Sequence, residues 1–285
     1  MFANARMYSV SAAAAGSWRQ LFTSVAQRAA EIAETAETAE TLDIIDYPAP
    51  APLRDLWNRP DKGAVFMCGL PYSRAVPRPH LLAAPVPSPA QFRGRPEYWS
   101  EFVVRAESDE RTLSDTFGGR IALTSVESQS GFAAPLRHLR AAGSERPLFA
   151  ALIAPQVTPQ GALAAVADGL ADVAAIDSYT MQLLRRHDPQ RVSRVRVIDR
   201  TEPRPIPPLV AARPLPALAA AFLSAHEPDS LSMAAMADLL LERFVLPSPA
   251  GYAILSSEYD STLDYWRGHA LAAKIHPAFA SILAA

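Results

Sequence analysis

A chain of 285 residues with a formal net charge of −2 has no global basic field, and its 27 Lys and Arg are spread out, which excludes nucleic-acid binding by overall charge. A single cysteine, Cys68, excludes an intramolecular disulfide and a cysteine-based zinc site. No apolar run nears the roughly 18 residues of a membrane-crossing helix, so no membrane insertion is expected, and the length suits two compact lobes.

In chain order, Phe2 to Tyr8 reads as a short strand. Asn4 and Arg6 interrupt it, so no apolar core precedes Ala12–Ala15 and no export signal is read there. From Ser17, the residues Trp18, Leu21, Phe22, Val25, Ala29 and Ile32 recur at helical spacing. The Ala-Glu-Thr repeat that follows places Glu34, Glu37 and Glu40 on a solvated acidic stripe. Strands are expected at 42–47, 64–68 and 81–86, with a short helix near 53–57 between the first two. Strands alternating with helices at this spacing describe a mostly parallel sheet flanked by helices.

A second series begins after Tyr98. Strands are expected at 101–105, 119–124, 148–153, 172–176 and 195–199, and helices near 130–142, 161–170 and 179–186. After a proline-rich strand at 206–212, one short strand and helices near 216–225, 230–242 and 260–273 finish the chain. This last block has too few strands for its own sheet and is expected to return to the first. Residues 1–100 with 206–285 then form one discontinuous lobe and 101–205 the other, joined by two crossovers near 98–105 and 200–212.

The stretch Ser125-Val126-Glu127-Ser128-Gln129-Ser130-Gly131-Phe132 carries the chemistry. A strand ends, a polar loop follows, and a helix opens at Ser128 or Ser130. The first turn of a helix leaves amides unpaired with partial positive charge, and a glycine allows close approach, so this is a site for phosphate, phosphonate or carboxylate. Plain serine capping is the alternative. Two such lobes create a cleft at the strand ends, where open α/β sheets bind ligands. Tyr8, Cys68, Tyr72 and Asp177 fall at strand ends, and Tyr98 at a crossover. The tyrosines serve equally as core residues, Cys68 as a small apolar residue, and Asp177 as the cap of the next helix.

Three stretches match a known pattern in order: Tyr98-Trp99-Ser100-Glu101-Phe102-Val103-Val104-Arg105, Leu113 to Ala122 with Gly118-Gly119-Arg120, and Ser128-Gln129-Ser130-Gly131-Phe132. A fourth, Ala162 to Ala174, closes with Asp168-Gly169-Leu170-Ala171-Asp172-Val173-Ala174. Together they resemble the substrate-binding proteins of phosphate/phosphite/phosphonate ABC transporters. The resemblance implies a two-lobed type 2 periplasmic-binding-protein fold and enclosure of a small anionic ligand without catalysis, in concert with an ABC permease. It implies that Ser128, Gln129, Ser130 and Gly131 hold the anion, that Tyr8, Tyr72 and Tyr98 contribute contacts, and that Asp177 faces a ligand amine. The turn Ala154-Pro155-Gln156 lacks the histidine of family members that bind aminoalkylphosphonates. The resemblance places the protein in the periplasm, whereas the unread export signal places it in the cytoplasm.

No phosphate-loop, dinucleotide or HExxH motif is present, the six histidines do not cluster, and no cofactor or metal is expected. The alternatives are a cytoplasmic ligand sensor and a biosynthetic enzyme on the same fold. An enzyme would show a positioned base, nucleophile or metal cluster.

Overall fold

The computed structural model describes residues 1–33, 41–143, 146–227 and 232–284, so the acidic stripe at Glu34, Glu37 and Glu40 lies outside the described residues. The chain forms two compact units, residues 1–97 with 205–252 and residues 98–204 with 253–285. The short strands β5 (Glu97–Tyr98) and β11 (Arg204–Pro205) lie at the first two passages between them. A third passage falls at 252/253, inside a helix, where only two crossovers are expected from the sequence.

The first unit is built on a six-stranded sheet. Its strands are β1 (Phe2–Asn4), β2 (Asp43–Ile44), β3 (Lys62–Phe66), β4 (His80–Pro87), β12 (Leu209–Ala211) and β13 (Leu241–Val245), in the order β13-β4-β12-β3-β1-β2. β12 and β13 run against the other four. The first strand stops at Asn4, and Arg6–Tyr8 is a 3-10 turn. Helix α1 (Ala12–Ile32) starts earlier than its apolar spacing suggests. The alanines at 12–15 are its first turn, capped by the Ser11 side chain, which accepts from the Ala14 amide. Its buried stripe of Trp18, Leu21, Phe22 and Val25 packs an aromatic cluster: Trp18 meets Phe66 edge-on at 5.0 Å and Phe22 meets Phe222 at 6.0 Å. Phe222 comes from α8 (Pro216–Leu223). The short helices α2 (Leu53–Asn58), α3 (Gly69–Arg74) and α9 (Met233–Asp238) complete this unit.

The second sheet holds β6 (Ser100–Arg105), β7 (Arg120–Ala122), β8 (Phe149–Ile153), β9 (Val173–Asp177), β10 (Val195–Arg200) and β14 (Ala272–Lys274), in the order β10-β6-β9-β7-β8-β14. Only β6 runs against the rest. Its helices are α4 (Ala134–Leu139), α5 (Pro159–Ala167), α6 (Ser178–His187), α7 (Pro189–Val192), most of α10 (Pro249–Gly268) and α11 (Pro277–Ala284).

The sequence reading returns all of 206–285 to the first lobe, but residues 253–284 pack with the second sheet. β14 extends it in parallel beside β8, and the Trp266 indole donates to the Leu136 carbonyl at 2.9 Å. Leu263, Trp266, Leu271, Phe279 and Leu283 enter the same core as Phe102, Ile121, Phe132 and Phe149. The sequence reading also starts α10 eleven residues late, expects one short strand in this last block where two, β13 and β14, form, and omits α11.

Two of the stretches that carry the family resemblance meet in this sheet. Asp172 accepts from the Arg120 amide at 2.7 Å and from its Nε and Nη2 at 3.1 and 2.9 Å, while Nη2 also reaches the Gly169 carbonyl at 2.9 Å. Gly169, at φ +73°, reverses the chain into β9 in a conformation that favours glycine. These residues clamp the start of β7 to the turn before β9. The Arg120 guanidinium holds the Asp172 carboxyl below its usual range. The unfolded chain therefore binds the extra proton, and the clamp's contribution, present above the ordinary Asp range, is lost as the pH falls. Asp172→Asn is expected to destabilise the protein by about 1 kcal/mol at pH 7 and by less near pH 3. Urea unfolding at both pH values checks this, and an equal deficit at both would remove the carboxylate from the account.

Candidate functional site

In the second unit, one edge of the sheet collects the C-terminal ends of β7, β8 and β9 and, because β6 is reversed, its N-terminal Ser100. Ser100 pairs directly with Asp177. The expected helix after β7 begins as a π turn at Gln129–Ala133 and continues as α4. Its first ladder bonds run from the Ala133 amide to the Ser128 carbonyl and from the Ala134 amide to the Gln129 carbonyl, so the amides of 129, 130 and 132 lie ahead of the ladder.

Ser128 is the N-cap, and its Oγ accepts from the Gly131 amide at 2.9 Å. The capping alternative is thus realised, and it engages the Gly131 amide. The Ser128 hydroxyl keeps its own proton to donate. Ser130 is half-buried; its carbonyl accepts from Ser100 Oγ at 2.7 Å and its hydroxyl makes no bond among the described residues. Gly131 is a glycine because a Cβ there would lie 1.9 Å from Thr124 Oγ1, and the Thr124 amide also donates to the Gly131 carbonyl at 3.0 Å. Thr124 Oγ1 is buried without a hydrogen-bond partner among the described residues, as is Thr180 Oγ1. Gln129 is buried at the turn.

Asp177 ends β9 and caps α6, its Oδ1 accepting from the Thr180 amide at 2.8 Å. Burial raises its pKa to about 6 against those bonds, with Glu101 adding repulsion. Glu101 is itself buried, its pKa raised by burial and partly restored by Arg185 at 3.0 Å. The cationic end of α6 is thus partly spent on that carboxylate. Tyr98 is buried at the start of this unit, and the strand after it is tied to α6 by the Trp99 amide to Ser178 Oγ at 3.1 Å.

Two other expected residues belong to the first unit, where the chain leaves β1 and β3. Tyr8 is buried, its ring edge-on to Phe66 at 5.0 Å and stacked with Trp18 at 6.5 Å. Tyr72 is buried with its ring 5.2 Å from Tyr252, whose hydroxyl donates to the Ile206 carbonyl, and burial raises the Tyr72 pKa. The structure brings Ser128, Gln129, Ser130, Gly131 and Asp177 to one edge, and it seats Tyr8 and Tyr72 within the core of the first unit. Ser100 and Thr124 went unnoticed in the sequence because their parts depend on tertiary pairing. Cys68 is buried, and no group of three metal-ligating side chains occurs among the described residues.

Residues 64–252, well over half the chain, match the family of ABC transporter phosphonate periplasmic substrate-binding proteins. No curated protein matches the chain in sequence. Among solved structures, the binding component of an ABC phosphonate transporter from Pseudomonas aeruginosa is similar at 17% identity and TM-score 0.69, over 93% of this chain and 86% of that one. PhnD1 from Prochlorococcus marinus, solved with methylphosphonate, has 15% identity and TM-score 0.71 over 92% of this chain and 97% of that one. A Xanthomonas citri protein bound to ATP has 18% identity and TM-score 0.62 over 93% and 98%. These likenesses share the two-sheet α/β architecture of type 2 periplasmic binding proteins.

Two tests follow from the geometry. Gly131→Ala forces a methyl into Thr124 and is expected to cost about 1–3 kcal/mol, partly recovered by adding Thr124→Ala. Thermal melts of both variants check it; a neutral Gly131→Ala would show that the contact relaxes freely. For Asp177 the native state keeps the proton that the unfolded chain releases, so wild-type stability falls as pH rises from about 4 to about 6, by roughly 2–3 kcal/mol. Asp177→Asn retains the cap and is expected to flatten that fall; an unchanged slope in the variant assigns it to other groups.

Proposed function

The chain belongs to the family of periplasmic substrate-binding proteins of ABC phosphonate transporters, and from that premise we propose that it takes a small oxyanion of the methylphosphonate, phosphite or phosphate kind at the turn opening with Ser128. The family carries small anionic ligands and works with a membrane permease, and it is periplasmic. Among the described residues no helix is long and apolar enough to cross a membrane.

One observation carries the choice of residues. The Ser130 hydroxyl is uncommitted, and it stands beside a Ser128 hydroxyl that still has a proton to give, on a turn whose amides precede the ladder. Hydroxyls and oriented amides at a helix start are donors that suit phosphorus oxyanions. PhnD1 from Prochlorococcus marinus was solved with methylphosphonate, which supports that ligand class here. The ligand is drawn without an amine, since Asp177 already gives an oxygen to the Thr180 amide and the turn at 154–156 has no histidine. The protein releases its ligand unchanged.

A thermal-shift series with methylphosphonate, phosphite, phosphate, aminoalkylphosphonates and neutral compounds tests the ligand class. At about 100 times the dissociation constant a true ligand adds roughly 2.7 kcal/mol of stability. Ser130→Ala is expected to weaken oxyanion binding by about 10- to 100-fold while leaving the unliganded melt in place. A shift with neutral compounds alone would overturn the oxyanion reading, and undiminished affinity in Ser130→Ala would remove that serine. Mass spectrometry of recovered ligand tests the absence of chemistry; a modified product would contradict it.

A further inference from the structure

Two buried carboxyls stand at the sheet edge that carries the turn. Asp177 ends β9, and Glu101 lies on the reversed strand β6, one residue beyond the Ser100 that pairs with Asp177. Arg185 of α6 reaches Glu101 at 3.0 Å, whereas no cation pairs with Asp177 among the described residues. Asp177 is held by dipoles instead, its Oδ1 accepting from the Thr180 amide at 2.8 Å. The ionisable groups that act on it are Glu101 from β6 and Tyr179 from α6, while Arg185 of α6 and Arg200 of β10 act on Glu101. The turn at Gln129–Ala133 and the end of β7 bring no titratable side chain, and Glu127, in the loop between them, is half-buried.

The strand pairing also ties this acid to the turn. Ser100 is the ladder partner of Asp177, and its Oγ donates to the Ser130 carbonyl at 2.7 Å. Paired residues on adjacent strands lie about 5 Å apart, so the Asp177 Cα is within about 10 Å of that carbonyl oxygen. An anion held by Ser128 and Ser130 therefore brings a second negative charge close to a buried carboxyl that has no counter-ion. Like charges oppose each other most strongly where water is excluded, and a proton on the carboxyl relieves the conflict. Asp177 is poised for that step, because burial has pushed its pKa up to about 6.

We propose that Asp177 is a specificity-determining residue of the oxyanion site: binding draws one proton from solvent onto its carboxyl, and while that carboxyl is charged the site discriminates against dianions. This rests on the oxyanion reading above, and every group involved belongs to the second unit. Anion and proton favour each other's binding, so affinity is highest where the carboxyl is already protonated and falls as the pH rises past about 6. A rise of about one pKa unit on ligand binding corresponds to about a tenfold loss of affinity, complete by about pH 8.

Calorimetric titration with methylphosphonate from pH 5 to pH 8 tests this in the wild type and in Asp177→Asn, which keeps a capping side chain that cannot ionise. The ligand's own ionisation acts on both proteins and cancels in their affinity ratio. The ratio of variant to wild-type affinity is expected to rise about tenfold between the two pH values. Near pH 6.5, titrations in two buffers of different ionisation enthalpy are expected to show more proton uptake in the wild type than in the variant. Asp177→Ser, an uncharged capping residue, carries the same comparison should the asparagine variant fail to fold.

A flat ratio, or equal proton uptake in the two proteins, would overturn the assignment. If the ratio is flat while Ser130→Ala still loses methylphosphonate, the oxyanion reading stands and Asp177 alone is excluded. If the wild type binds methylphosphonate at no pH, the oxyanion reading falls and the proton linkage falls with it.

Discussion

The site edge of the second unit depends on a missing side chain. Gly131 lies so close to Thr124 that a Cβ would sit 1.9 Å from its hydroxyl oxygen, and the backbone of the turn closes on the end of β7 through the Thr124 amide. From the neighbouring side Ser100 holds the Ser130 carbonyl. From behind, Phe132 is fully buried with its ring 5.0 Å from Phe279 on the last helix. Strand, turn and C-terminal helix thus fix the backbone of the turn and its early amides.

The acids around that edge are held back by burial and pairing. A chain of net charge −2 cannot attract an anion by its overall field, so selectivity has to be local. Asp177, at the end of β9, is buried, spends an oxygen on an amide, and has its pKa pushed up to about 6 because burial opposes its charge. Glu101 is answered by Arg185. The donors left at the turn are dipoles, whose attraction for an oxyanion falls off steeply with distance.

How much of this was legible follows from how local each signal is. The alternation of strands and helices, the serine-glycine turn and the cap at Asp177 are written within a few residues, and the sequence reading places them close to where they lie. The fate of residues 253–284 is not local. β14 has only three residues, and its membership of the second sheet rests on pairing with β8, far away in sequence. The start of α10 at Pro249 carried a usable signal, since proline favours the first helical turn, but the apolar spacing that dominates the reading begins later. Tyr8 and Tyr72 were read at strand ends, where both core and ligand roles were open, and their rings sit among other aromatics.

The π turn has a physical reason that ties fold to site. Two registers meet at residues 129–133. Behind the turn, Phe132, Leu136 and Leu139 recur at spacings of four and three, and all three are buried, so the core sets the rotation of α4. Ahead of it, the contact of Gly131 with Thr124 and the bond from Ser100 to Ser130 set the rotation of the first residues against the sheet edge. A π turn accommodates one residue more than an α turn, and it lets Phe132 face the core while Ser130 stays at the edge. It also lengthens by one the run of amides that precede the helical ladder. The extra residue that reconciles core and edge is the same one that lengthens this run of amides.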